Sequence, residues 1–245
     1  MFPSIGALAP LLLSATLPFG PGERIVFKIS YAHLTGGHAT VSVEGDPGSP
    51  VVRFVAEARS HGFFAWLFNF KVEDRTVARW DSDLGCSLGI EKHLREGKAA
   101  RDQVVTIDPR TGVAEVQDKK VKQTRFELEP CINDVLSALY VARIRGVPEK
   151  EPLVLPVFDN GKRYALRVSF IARDRLDLPP PLGRNVPTVI VEPQLAEGTG
   201  LFVKKGRLIL WLTDDARRIP VRMKSKVAIG SVGADLEAYT PPAAH

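Results

Sequence analysis

The stretch "RIVFKISYAHLTGGHATVSVEG", residues 24–45, decides the fold class because its apolar and polar residues alternate. A period of two places Ile25, Phe27 and Ile29 on one face of a β-strand. The turn-forming residues 35–37 separate this run from a second alternating run. The stretch therefore predicts an antiparallel hairpin with one face turned toward a core.

The same pattern recurs along the rest of the chain and predicts roughly ten strands. Alternating runs flank turn signals such as Asp-Pro-x-x-Gly at residues 108–112, Asn160-Gly161, and Asp-Asp-Ala-Arg at residues 214–217. Asn-Gly between two β-rich runs is a strong hairpin signal, because both residue types accept a positive φ. Successive hairpins of this kind indicate a predominantly antiparallel sheet.

One segment departs from strand alternation. In "PCINDVLSALYVARIRGVP", residues 130–148, apolar side chains recur at helical spacing after Pro130, and Gly146 with Pro148 ends the run. The residues on this apolar stripe are Ile132, Val135, Leu136, Leu139 and Tyr140. A lone helix must bury its stripe, so the fold class predicted is mainly β: a curved antiparallel sheet or open barrel with one amphipathic helix packed over it.

Composition is that of an ordinary globular protein, with 44% hydrophobic and 25% charged residues in 245. We expect a single β-rich domain over residues 22–240, since there is no repeat or linker. The net charge of +5 implies mild attraction to polyanions but is too small to name a partner. Nucleic acid is not expected, because the basic residues lack interleaved aromatic side chains for base stacking.

The first segment, residues 1–20, is uncharged and mostly apolar. Three prolines interrupt it, so it fits a secretory signal better than a membrane span. The usual positive start is missing, and an apolar N-terminal arm is the alternative. Export would place the mature protein in the periplasm.

Two cysteines, Cys86 and Cys131, are separated by 45 positions. In an oxidising compartment they could form a disulfide, and two buried free thiols are at least as compatible with the spacing. The spacing matches no metal motif. No metal or other cofactor is predicted.

The aromatic stretch "HGFFAWLFNF", residues 61–70, lies between two alternating runs and has no polar face in either a helical or an extended conformation. It is interpreted either as core packing or as a lid or wall that touches a ligand or a membrane surface. With two apolar residues elsewhere, it supplies the predicted binding residues: Phe63, Phe64, Trp66, Leu67, Phe68, Phe70, Leu139 and Trp211.

Several catalytic motifs are absent from the sequence: there is no S-x-x-K, no phosphate loop and no H-E-x-x-H. No catalytic residue is therefore predicted. Glu192 and Asp215 are the least implausible acids, although Asp215 also suits a turn. Arg222, Lys224 and Lys226 alternate along one strand and indicate a solvated outer face, with contact to anionic headgroups as the alternative.

Several blocks together resemble a bacterial family called domain of unknown function 3108. They include "ARSHGFFAWLFNFKVEDR" (58–75), "LPVFDNGKRYALRV" (155–168) and "LFVKKGRLILWLTDDARRIPVRMKSKVAIGSVGADL" (201–236). The resemblance runs over about residues 22–239 in order. It implies an exported protein of Gram-negative bacteria with a β-rich, barrel-like fold and no assigned activity, so no site residue is carried over.

Three function classes remain after these exclusions. The first is a non-catalytic periplasmic binding or carrier protein for a lipid or another apolar component of the cell envelope. The second is a structural or assembly factor of the envelope, and the third is a hydrolase that acts on envelope glycan or lipid. An anionic membrane surface is a further candidate partner, and nothing in the sequence specifies an oligomeric state. An apolar cavity would favour the binding or carrier protein, and an exposed apolar patch would favour the assembly factor. A polar cleft with two carboxylates would favour the hydrolase.

Overall fold

The computed structural model describes residues 17–31, 34–60, 71–118, 121–196, 207–226 and 231–243. Its strands form one antiparallel sheet of fourteen strands. They are β1 (Arg24–Tyr31), β2 (Leu34–Gly45), β3 (Val51–Ser60), β4 (Glu73–Asp81), β5 (Cys86–Glu96), β6 (Ala99–Ile107), β7 (Val113–Asp118), β8 (Val121–Glu127), β9 (Leu153–Asp159), β10 (Lys162–Leu176), β11 (Val186–Ala196), β12 (Leu208–Thr213), β13 (Pro220–Lys226) and β14 (Ser231–Thr240).

Sequence neighbours pair within two meanders, and β1 pairs with β14 to join them. The strand order is therefore β8 to β1, then β14 to β9, with β8 and β9 at the two edges. This confirms the predicted open antiparallel sheet. The strand number exceeds the expected ten, and β8, which reads VKQTRFE, has too few apolar residues to stand out in the sequence.

The two sheet edges meet through side chains. The rings of Phe126 on β8 and Phe158 on β9 have centroids 5.2 Å apart. Beside them, the Asn133 N–H donates to Pro156 O (3.1 Å) and the Phe158 N–H donates to Asn133 O (2.8 Å). The edge of β9 is thus partly covered, which lowers the risk of pairing with another chain.

The first predicted hairpin is present, but its turn is shifted. β2 begins at Leu34, so Thr35, Gly36 and Gly37 lie in the strand and not in the turn. Glycine at position 37 has a packing reason, because a Cβ there would lie 2.2 Å from Arg59 O. The sequence pattern could not distinguish a turn glycine from a glycine at a close strand approach.

The single helix of the described residues, α1 (Val135–Arg145), confirms the predicted helix, with a later start. Asp134 is its N-cap and accepts the N–H groups of Leu136 (2.8 Å) and Ser137 (2.9 Å), a favourable arrangement for the first turn. Gly146 ends the helix with φ 70°. No helix in the described parts of the chain is both long and apolar enough to cross a bilayer.

The residues before α1 contact the connection after β6, where the Cys131 N–H donates to Pro109 O (3.1 Å), and the end of α1 contacts the connection after β12, where the Arg218 guanidinium donates to Arg143 O (2.7 Å). A disulfide joins Cys86, at the start of β5, to Cys131, which precedes the helix. This resolves the two alternatives for the cysteines in favour of the bridge. Next to it, Ser87 Oγ donates to Asp134 Oδ2 (2.7 Å), so the helix start is held to β5 by both a covalent and a polar contact.

Candidate functional site

The helix and the concave face of the sheet line a partly open apolar cavity of about 170 Å³, here called the α1 cavity. All of its lining residues are apolar, and they come from α1 and from strands β9 to β13. They are Val135, Ala138, Leu139, Ala142, Val157, Leu166, Val168, Val191, Pro193, Leu195, Leu208, Leu210, Leu212 and Met223.

Local structure explains this lining. On α1, Val135, Ala138, Leu139 and Ala142 follow the i, i+3, i+4, i+7 spacing of one helix face. On β12, the alternate leucines at 208, 210 and 212 share one face of the strand. The two alanines leave the space between helix and sheet unfilled, so the cavity follows from small residues at the centre of a buried face.

A cavity of this size and polarity can hold a small apolar group. An engineered cavity of about 150 Å³ lined by aliphatic and aromatic side chains stays dry and binds benzene. The α1 cavity has similar chemistry, and none of its lining side chains carries a charge. It is therefore suited to the end of an acyl chain or a small ring.

A second, polar cleft of about 370 Å³ lies beyond the C-terminal end of α1. Its carboxylates are all engaged with arginines. Arg173 contacts both Glu149 and Asp214, and Asp215 accepts from the Arg217 guanidinium (2.6 Å). Such pairing leaves no carboxyl group of this cleft free to act as a proton donor.

The two candidate acids from the sequence, Glu192 and Asp215, are also paired with arginines. Arg207 donates to both Glu192 oxygens (2.6 and 2.9 Å), and these hydrogen bonds lower the pKa of Glu192. Burial alone would raise the pKa of Asp215, but the hydrogen bonds from Arg217 and Thr213 more than offset it, so the pKa is lowered. Both side chains are ionised at neutral pH, which argues against a role as general acid.

The substitution Glu192→Gln is expected to lower the free energy of unfolding by about 1 kcal/mol at neutral pH, a small effect because Arg207 is largely exposed. Because the folded-state pKa is depressed, the stabilisation by Glu192 is present above the ordinary value of 4.5 and is lost as the pH falls through the folded-state pKa. Urea unfolding of both proteins from about pH 7 to about pH 3 measures this. A gap that stays constant below pH 4.5 would contradict the assignment.

The predicted binding residues fall into three groups. Leu139 lines the α1 cavity. Trp211 does not, because it alternates with the cavity-facing Leu210 and Leu212 and lies on the opposite face of β12. There its Nε1 donates to Asp174 (3.0 Å), and its ring packs against the charged groups of Arg222 and Lys224. Phe63, Phe64, Trp66, Leu67, Phe68 and Phe70 lie outside the described residues, so their binding role stays a prediction.

Most of the cavity wall was missed by reasoning from the sequence. Ala138 and Ala142 are spaced by four residues within the predicted helix, and this pair of small side chains on the buried face was the available signal. The alternate leucines of β12 were also visible. Their convergence with α1 depends on the curvature of the sheet, which no local pattern encodes.

Comparison with known proteins supports the fold. A β-barrel-like protein of domain of unknown function DUF1849 from Brucella abortus superimposes with a TM-score of 0.61 at 12% identity, over 91% of this chain and 98% of that one. The hypothetical protein CT021 from Chlamydia trachomatis reaches a TM-score of only 0.42 at 10% identity, over 94% of this chain and 91% of that one. No protein of curated function matches the sequence.

The family comparison is more specific than the fold similarity to the Brucella abortus protein. The model of the family described as protein of unknown function (DUF3108) matches residues 26–237, which span both meanders and the helix between them. The chain belongs to the DUF3108 family of proteins of unknown function.

Proposed function

We propose that this protein is a non-catalytic binding or carrier protein of the Gram-negative cell envelope, which takes an apolar group of a lipid or similar component into the α1 cavity. The observation that carries the proposal is the apolar lining of that cavity, about 170 Å³ in volume. A typical site for a whole drug-sized ligand measures about 300–1,000 Å³, so the cavity suits one end of a chain rather than a complete lipid.

The disulfide supports the compartment in this proposal. Bridges such as Cys86–Cys131 persist in oxidising environments, which include the bacterial periplasm. The apolar residues before Leu17 provide a matching export signal, whereas Phe19 packs in the core and belongs to the folded domain. The periplasm also brings the protein close to the acyl chains of both membranes.

Filling the cavity is expected to abolish apolar binding without loss of fold. Ala142→Leu adds side-chain volume from the helix, and Leu210→Phe adds it from the sheet. With wild type, adding n-hexane should raise the melting temperature, because a ligand that binds only the folded state stabilises it. The filled variants should show no such rise.

The matched control is Val154→Leu, at a side chain that is 46% exposed and outside the cavity. It should respond to hexane as wild type does. A second measurement uses protein purified gently from Gram-negative periplasm, extracted with organic solvent and analysed by mass spectrometry. Wild type and Val154→Leu should carry an apolar compound that the filled variants lack. No co-purifying compound and no hexane response in wild type would overturn the proposed function.

A further inference from the structure

A buried polar cluster lies on the same concave face of the sheet as the α1 cavity. Lys92 on β5 forms an ion pair with Asp159 on β9, and both side chains are about nine-tenths buried, at 9% and 11% exposure. Gln103 stands directly opposite Lys92 on β6 and is 3% exposed. Its strand neighbours on that face, Val105 and Ile107, belong to the core.

Two oxygen atoms of this cluster are buried acceptors for which the described part of the chain supplies no donor. Gln103 Oε1 and Asn160 Oδ1 accept no hydrogen bond from any residue that the structure describes. The Nδ2 of Asn160 donates to Asp159 Oδ2 (2.8 Å), which fixes the amide beside the ion pair. A buried polar atom left unpaired costs free energy, so each such atom calls for a water or a ligand group.

The cluster adjoins the cavity along β9. Val157 lines the cavity, and Asp159 follows two residues later on the same face of the strand, a separation of about 7 Å. Across the strand pair, Val157 stands opposite Tyr164, which lies two residues from the cavity-lining Leu166. A chain that leaves the cavity along β9 would therefore come next to Asp159, the residue of the cluster that follows the cavity wall on this strand.

We propose that this cluster is a head-group site, and that the ligand is an amphiphile with an uncharged head that donates hydrogen bonds, such as a hydroxyl or an amide N–H. The proposal rests on the proposed function, since the tail of the same ligand occupies the α1 cavity. Lys92 and Asp159 neutralise each other, so the site carries no net charge to hold an ionic head. The unpaired oxygens of Gln103 and Asn160 are acceptors, which select for donors.

The same groups disfavour the two charged alternatives. A carboxylate or phosphate head would bring oxygens against the Gln103 and Asn160 carbonyls and the Asp159 carboxylate. An ammonium head would approach Asp159 only in competition with Lys92. Loss of its hydration in a buried site makes either ion unfavourable without a free counter-charge.

Three probes with the same eight-carbon tail test the head group: 1-octanol, nonanoate and octylammonium. Titration calorimetry with the full mature chain should give the tightest binding for 1-octanol, by about tenfold or more, the equivalent of one to two net hydrogen bonds. Hexane serves as the probe without a head.

Two variants separate the head-group site from the tail cavity. Gln103→Leu removes one unpaired oxygen at similar volume. Asn160→Gly removes the other and keeps the turn, because the φ of 51° at this position suits glycine. Each should reduce the affinity for 1-octanol about fivefold and leave the hexane response unchanged, and Asn160→Gly carries the test if Gln103→Leu lowers the melting temperature too far.

The outcomes distinguish the two proposals. Equal affinity for the three probes, or a preference for 1-octanol that survives both substitutions, would mean that buried water alone satisfies these oxygens and would overturn the head-group site. Hexane binding would then still support the α1 cavity. Failure of wild type to bind hexane, together with the absence of a co-purifying apolar compound, would overturn the proposed function, and the head-group site with it.

Discussion

Replacing Arg143 by methionine is expected to lower the free energy of unfolding by about 3–5 kcal/mol, the cost of leaving a buried charge without its partner. The side chains of Arg143 and Glu23 are both fully buried. Two guanidinium nitrogens donate to the two Glu23 oxygens, at 2.7 and 2.8 Å. The substitution would leave the Glu23 carboxylate buried without a counter-charge.

The remaining contacts of this ion pair explain why it connects distant parts of the chain. Arg143 also donates to the carbonyl oxygens of Arg217 (3.1 Å) and Pro18 (3.2 Å). Burial raises the pKa of Tyr239 to about 12, so its hydroxyl is protonated at neutral pH and donates to Glu23 (3.2 Å). The residues before β1, helix α1 and strand β14 are therefore all connected through the Arg143–Glu23 ion pair.

Urea unfolding of a double-mutant cycle measures this coupling. Glu23→Gln keeps an acceptor for Tyr239 and removes the charge, so the double variant Glu23→Gln/Arg143→Met should cost clearly less than the sum of the two single variants. Arg145→Met, at an exposed residue of the same helix, is the control and should change stability by about 0.5 kcal/mol or less. Additive single effects would contradict the role assigned to the pair.

Local patterns in the sequence predicted the elements of this fold better than their assembly. Alternation identified the hairpins and helical spacing identified α1, because both depend on neighbours within a few residues. The ion pair shows the limit of this reasoning. Glu23 lies in a polar stretch after the apolar segment, and Arg143 is 120 positions away from Glu23. No local pattern therefore predicts that either side chain is buried.

The site shows the same limit at the level of one strand. The run "LILWL", residues 208–212, is apolar on both faces, so alternation cannot decide which face turns toward the helix. In the structure the three leucines face the α1 cavity, and Trp211 lies on the opposite face of the strand. The prediction of Leu139 was easier, because a lone helix in a β protein has only one partner surface against which its stripe can pack.

The loss of the Cys86–Cys131 disulfide should have an effect of comparable size. The bridge closes a loop of 45 residues, and removal of a constraint of that length from the unfolded chain corresponds to about 4 kcal/mol in the chain-entropy treatment. The double variant Cys86→Ala/Cys131→Ala is therefore expected to unfold at lower urea concentration. Reduction of wild type with dithiothreitol should produce a similar loss, and the variant should not respond to the reductant.

The position of the bridge predicts where the loosening is concentrated. Cys131 precedes the Asp134 cap of α1, and Ser87, the neighbour of Cys86, bonds that cap. Without the disulfide, the Ser87–Asp134 hydrogen bond and the apolar core shared by Ile132 and Ile90 remain between the helix start and β5. Amide exchange should therefore accelerate in α1 more than in strands β1 and β14, and hexane binding to the α1 cavity should weaken. Uniform acceleration across the sheet, or two free thiols in protein isolated from the periplasm, would show that the bridge does not anchor the helix.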